Sequence, residues 1–212
     1  MMRVLLTGFE PFGEMAGNPS SYIVNQIATP ESVSELTVFG EVLPTEYGHA
    51  GRRICDLIRD VDPEAVICLG VSAQLQGIAL ERVAINVDDC PKPDNSGEIR
   101  AGSAIDPDGP AAYLSTLPLH AMRDALEAGG IPVTISNHAG TFVCNHVFYQ
   151  ARQILTALNR NIPCGFIHVP LESGISGSAG LPLSVMVNAI QQCIEFVSGQ
   201  TRPDPPDSQG TS

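Results

Sequence analysis

The chain has 212 residues, of which 43% are hydrophobic and 16% charged, a globular composition long enough to bury a sizeable core. Its formal net charge of −12 leaves no basic surface for phosphate backbones or anionic membranes, so nucleic acid is not an expected partner. No apolar run approaches the ~18 residues that span a bilayer. The apolar start is broken by Glu10 and Pro11 without the cleavage site of a signal peptide, so a cytoplasmic location is expected.

Residues 3–7 (RVLLT) form a continuous apolar run ended by Gly8, suited to a strand buried on both faces of a parallel sheet. The loop GFEPFGEMAGNPS follows. Ser20 and Ser21 then open a short helix through Tyr22, Ile23, Val24 and Ile27, with serine as its cap. Residues 36–43 read as a second strand. Thr45 is expected to cap a helix with Ile54, Leu57 and Ile58 on one face, ended by Pro63. Residues 65–70 (AVICLG) read as another doubly buried strand, and residues 81–87 (ERVAINV) as one more. The polar, turn-rich stretch 88–110 is a hairpin or a surface excursion.

A helix near 117–128 is closed by Gly129 and Gly130, and residues 132–136 form a strand. From about Cys144 a helix carries Val147, Phe148, Ala151, Ile154, Leu155 and Leu158 at a period of 3.6. A strand at 165–169 (GFIHV) and an amphipathic helix at 183–197 complete the pattern. Residues 1–199 are expected to form one domain, and the proline-rich segment from 200 to 212 a disordered tail. Strands alternating with helices predict a three-layer α/β/α sandwich around a mostly parallel twisted sheet. Sites in such sheets lie at the carboxyl ends of the strands.

Chemistry concentrates at Cys144. Free N–H groups at a helix start favour a thiolate and can hold a developing oxyanion. A buried structural cysteine is the ordinary alternative. Cys55, Cys68, Cys164 and Cys193 fall in or beside apolar segments and read as structural, and Cys90 lies in a loop with no evident base. A cysteine nucleophile needs a histidine nearby in space. His49 and His120 read as surface residues. His146, two positions after Cys144, faces another way. His138 stays open, and His168, at the carboxyl end of its strand, is best placed. Glu81 opens an apolar strand, where a carboxylate needs a partner. Asp88, Asp89 and Asp94 are rivals in a polar loop. GFEPFG lacks the GK[ST] ending of a phosphate loop, and neither HExxH nor CxxC spacing occurs, so no metal or cofactor is expected.

At these residues the sequence resembles the pyroglutamyl peptidase I family. The matching segments are GFEPFGEMAGNPS, LPTEY, ERVAINVDD with PDNSG, DGPAAY, AGTFVCNHVFY and FIHVP, spread in family order over nearly the whole chain. The resemblance implies a single α/β domain, cytosolic and tetrameric, that removes N-terminal pyroglutamate from peptides. It implies Cys144 as nucleophile, His168 as base and Glu81 as the orienting carboxylate. Phe9, Phe12 and Phe142 are expected to sandwich the lactam ring, with Val143 contacting it through its backbone and Asn18 tying down the first loop. Two segments depart from the family pattern. GVSAQLQ puts Leu75 where relatives carry a basic residue, and CPKPDN puts Pro91 at an arginine position, which removes a side-chain candidate for the oxyanion. A cysteine amidase acting on another lactam or acyl substrate, and a non-catalytic protein that binds pyroglutamyl peptides, are the alternative readings.

Overall fold

The computed structural model describes residues 2–28, 36–174 and 179–200. The strands are β1 (Met2–Phe9), β2 (Leu36–Leu43), β3 (Ala65–Val71), β4 (Ile78–Glu81), β5 (Val83–Ile85), β6 (Asp88–Cys90), β7 (Arg100–Ser103), β8 (Ala112–Leu114), β9 (Val133–Ser136) and β10 (Cys164–Val169). The helices are α1 (Pro19–Ile27), α2 (Tyr47–Val61), α3 (Leu119–Ala128), α4 (Val143–Ala157) and α5 (Leu183–Gln200). The expected tail beyond residue 200 lies outside the described residues.

Six strands form the central sheet in the order β2-β1-β3-β10-β4-β9, parallel except where β4 runs against β10. β3 and β10 are apolar along nearly their whole length because helices cover both faces. On one face α1, α3 and α5 close a core around Leu6, Ile67, Leu69, Leu80 and Ile167. On the other, α2 and α4 pack Ile54, Ile58, Val147, Phe148 and Leu155 over Leu5, Val66 and Phe166. The result is the three-layer α/β/α arrangement around a mostly parallel sheet that the alternation of elements predicts.

Several boundaries depart from expectation, each for a hydrogen-bonding reason. α1 begins at Pro19, and Asn18 rather than serine is its cap: the Asn18 side chain accepts from the Ser20 N–H at 3.0 Å. Thr45 does not cap α2. Its hydroxyl donates to the Glu10 carbonyl at 3.0 Å, and the Tyr47 N–H is taken instead by Asp94, 47 residues away. ERVAINV is not one strand. The chain leaves the central sheet after Glu81 and forms a separate ribbon, β5 with β8, that the sequence did not announce. The stretch 88–110 does contain a hairpin, β6 with β7.

Ile67 is fully buried in the middle of β3. Ile67→Ala is expected to lower stability by about 2–5 kcal/mol, read as a shift of the urea midpoint at unchanged m-value.

Candidate active site

The candidate site lies at the carboxyl edge of β3 and β10. In the register of the two strands His168 lies opposite Gly70, and on its other side β10 meets β4 with His168 opposite Ala79 and Phe166 opposite Glu81. Glu81 and His168 are therefore diagonal neighbours on one face of an antiparallel pair, within reach of each other. The His168 Nδ1 sits 2.7 Å from Glu81 Oε1, and both residues are buried. Among the described residues the second Glu81 oxygen has no hydrogen-bond partner, so His168 is the group that balances this carboxylate.

Cys144 reaches the same place from above. It is the second residue of α4, whose cap residue Phe142 makes no side-chain capping bond. The first-turn N–H groups of Val143, Cys144 and Asn145 precede the first helical bond, which runs from the His146 N–H to the Phe142 carbonyl. Gly70 makes room for the sulfur: a Cβ there would stand 2.9 Å from Cys144 Sγ and 2.8 Å from the Phe166 ring. The sulfur stands close enough to the imidazole to act on its proton affinity. Burial alone would push the His168 pKa down. The hydrogen bonds to the Cys144 sulfur and the Glu81 carboxylate reverse that effect and raise it to about 9.

Desolvation disfavours the thiolate at four of the other cysteines. Burial pushes Cys55 up to about 11 and Cys68 and Cys193 to about 12, and Cys164 is raised further still. Of the other histidines, His49, His120 and His138 are exposed, and the His138 ring accepts from the Gly140 N–H at 3.1 Å rather than facing Cys144.

The start of α4 is fixed by Asn145. Its amide donates to the carbonyls of Ile85 and Val87 at 2.9 and 3.0 Å, and its oxygen accepts from the Ile85 N–H at 2.9 Å. His146 faces away from Cys144, as its spacing predicts, but it is not an idle core histidine. Its Nδ1 lies 2.8 Å from Asp88 Oδ2, and the same oxygen accepts from Arg100 at 2.6 Å. Arg100 in turn lies over the Tyr47 ring, 4.6 Å from its centroid. Asp88 and Asp94, which the sequence places in polar loop context, are both buried. Asp88 belongs to this cluster and Asp94 to the start of α2, so neither meets His168.

The aromatic residues divide. Phe12 and Phe142 are half-buried with ring centroids 4.9 Å apart, and Tyr47 meets Phe142 edge-on at 5.4 Å. Phe9 is 2% exposed and packs against Phe166 at 6.4 Å, which in turn lies 4.8 Å from the His168 ring. Phe9 thus backs the site rather than lining an open face. Val143 is buried, and Asn18 holds the first loop by donating to the Glu10 carbonyl at 3.0 Å. Pro91 is exposed. Leu75 lines a separate groove with Gln76, Ile78 and Val133, so neither departure puts a side chain beside Cys144.

Two outcomes test this geometry. Gly70→Ala is expected to displace the sulfur and lower kcat/KM for a pyroglutamyl-arylamide by roughly tenfold to a hundredfold, with the circular dichroism spectrum unchanged. The raised His168 pKa also has a stability consequence. The imidazolium's favourable contacts stabilise the fold fully below the ordinary histidine value of 6.5, and that contribution is lost as pH rises through about 9. Urea midpoints measured across that window should fall for the wild type and fall less for Glu81→Gln.

The family model for pyroglutamyl peptidase matches residues 2–200. A pyrrolidone-carboxylate peptidase from Pseudomonas fluorescens is 40% identical over 213 residues, covering 99% of this chain and 99% of its own. One from Streptomyces coelicolor is 43% identical over 170 residues, 80% of this chain and 78% of its own. Among solved structures, a mutant pyrrolidone carboxyl peptidase from Pyrococcus furiosus superposes with a TM-score of 0.90 at 31% identity, covering 95% of this chain and all of that one. With its whole described length inside that match, the chain belongs to the pyroglutamyl peptidase family.

Proposed function

We propose that the protein is a cysteine peptidase that removes an N-terminal pyroglutamyl residue from peptides through a thioester intermediate. The observation that carries the reading is the buried Glu81–His168 pair ending beside Cys144 at the start of α4. Glu81 fixes the imidazole by holding Nδ1, which leaves Nε2 to exchange a proton with the sulfur. Cys144 attacks the exocyclic carbonyl of the pyroglutamyl group, and its proton resides on His168. The tetrahedral oxyanion meets the unpaired N–H groups of the first turn of α4, which fits the absence of a basic side chain at Leu75 and Pro91. His168 then protonates the departing amine, the carbon–nitrogen bond breaks, and the thioester remains. Water attacks the thioester after giving a proton to the same imidazole, and pyroglutamate leaves.

Phe12 and Phe142 are the aromatic faces for the flat, neutral lactam, supported by their half-exposed rings, which meet at 4.9 Å, and by the place of Phe142 immediately before Val143 and Cys144. Phe9, Asn18 and Val143 act from behind: Phe9 packs the ring of Phe166, Asn18 sets the loop, and Val143 offers backbone. A tetramer is implied by the family resemblance alone. No helix among the described residues is long and apolar enough to cross a membrane.

The reduced protein is expected to release a fluorophore from a pyroglutamyl-arylamide, with turnover abolished by iodoacetamide and by Cys144→Ala and unaffected by a chelator. Alkylation should label Cys144. A folded, reduced protein without turnover, or an active Cys144→Ala variant, would overturn the proposal. Binding without turnover would favour the non-catalytic reading, and turnover of other lactam or acyl amides alone would favour the amidase.

A further inference from the structure

The residue that would cover the lactam, Phe12, lies on a segment with no regular structure between β1 and α1. A ring carried on a loop discriminates only when the loop is held in place. The main chain that leads into Phe12 is held at two successive carbonyls. The Glu10 carbonyl accepts from the Asn18 amide and from the Thr45 hydroxyl, each at 3.0 Å. The Pro11 carbonyl, one peptide from Phe12, accepts from the Asn95 side-chain amide at 3.0 Å. Beyond Phe12 the chain turns back on itself through the Met15 N–H to the Phe12 carbonyl.

Asn95 comes from a turn 84 residues on in sequence, and its own position is fixed closely. Its N–H donates to the Thr45 carbonyl at 3.0 Å. The preceding Asp94 is buried and gathers its own loop. One carboxylate oxygen accepts from the Ser96 N–H, the Ser96 hydroxyl and the Glu98 N–H, and the other from the Tyr47 N–H at the start of α2. Gly97, at φ +88°, closes the turn with its N–H on the Asp94 carbonyl. Yet the Asn95 side chain is exposed and packs no core. Among the described residues its side-chain amide makes one hydrogen bond, to the loop that bears Phe12.

We propose that Asn95 is a positioning residue for substrate: its amide clasps the Pro11 carbonyl and holds Phe12 against Phe142, so that the turn at 94–98 sets the affinity for the lactam ring. This rests on the reading of Phe12 as a ring contact. The clasp acts on binding rather than on the reaction, because the Glu81–His168–Cys144 set is built on β4, β10 and α4 and has no bond to Asn95.

The test uses the full chain with Asn95→Ala and Asn95→Asp, the second nearly isosteric but unable to donate. Four quantities are measured: KM and kcat for a pyroglutamyl-arylamide, the competitive inhibition constant of 2-pyrrolidone, the rate of Cys144 alkylation by iodoacetamide, and the urea midpoint. Losing one neutral hydrogen bond should raise KM and the 2-pyrrolidone constant together by about three- to tenfold. The kcat, the alkylation rate and the midpoint should stay close to wild type. Unchanged KM and inhibition constant in Asn95→Asp, with a wild type that 2-pyrrolidone inhibits, would overturn the clasp alone. A drop in kcat and alkylation rate at constant KM would also overturn it, by placing the effect at the nucleophile. A wild type that turns over substrate but ignores 2-pyrrolidone would remove the ring-contact reading and the clasp with it.

Discussion

The site depends on one buried contact, the 2.7 Å pairing of Glu81 with His168. Taking a carboxylate out of water is costly unless a partner stabilises its charge, and no lysine or arginine lies within ion-pair distance of Glu81 among the described residues. The partner is an imidazole that keeps its proton to a pH of about 9 despite its burial, through its interactions with the Cys144 sulfur and the Glu81 carboxylate. The antiparallel insertion of β4 beside β10 makes the contact possible. After Glu81 the chain leaves the sheet for β5 and carries residues 85–87 over the start of α4.

That path matters because Asn145 binds to those residues. Three hydrogen bonds from one side chain join the first turn of α4 to the segment that follows Glu81. The acid, the imidazole and the thiol thus sit on three elements held relative to one another: β4 to β10 by the sheet, α4 to β5 by the Asn145 side chain, and α4 to β3 by the close approach that the missing Cβ of Gly70 allows. The arrangement leaves Cys144 half-exposed at a helix start and next to a proton carrier, while burial disfavours ionisation of Cys55, Cys68, Cys164 and Cys193. Placement alone distinguishes Cys144 from these thiols.

Much of this was legible in the sequence where the signal is local. The apolar runs at β1, β3 and β10 and the 3.6-residue period of α4 come from residues near one another, and they located Cys144 at a helix start and His168 at a strand end. The less legible features share a physical cause: their hydrogen-bond partners are remote. Ser20 is a good cap by type, yet Asn18 takes the role because Pro19 is preorganised for the first helical position. Thr45 lost α2 because Asp94 reached the Tyr47 N–H first. Asp88 and Asp94 read as solvated loop residues, since nothing in a run such as DDCPKPDN reveals an arginine 12 residues on or a histidine 58 residues on. The sandwich of three phenylalanines came from family resemblance, and the fold separates Phe9, which is buried, from Phe12 and Phe142, which are half-exposed.

The hairpin of β6 and β7 then acquires a purpose that its polar sequence hides. A two-stranded ribbon is marginal by itself. Here it is rooted by a buried charge cluster in which Asp88 bridges Arg100 of its own hairpin to His146 of α4, while Arg100 lies across Tyr47 of α2. Tyr47 meets both His146 and Phe142 edge-on. The same helix start that receives Asp94 thus supports Phe142, and the turn that Asp94 organises holds the loop bearing Phe12, the two walls of the proposed site. The ligand implied by such walls is flat and neutral, which suits a protein of net charge −12: affinity for it comes from ring faces and hydrogen bonds and needs no steering by a surface that repels anions.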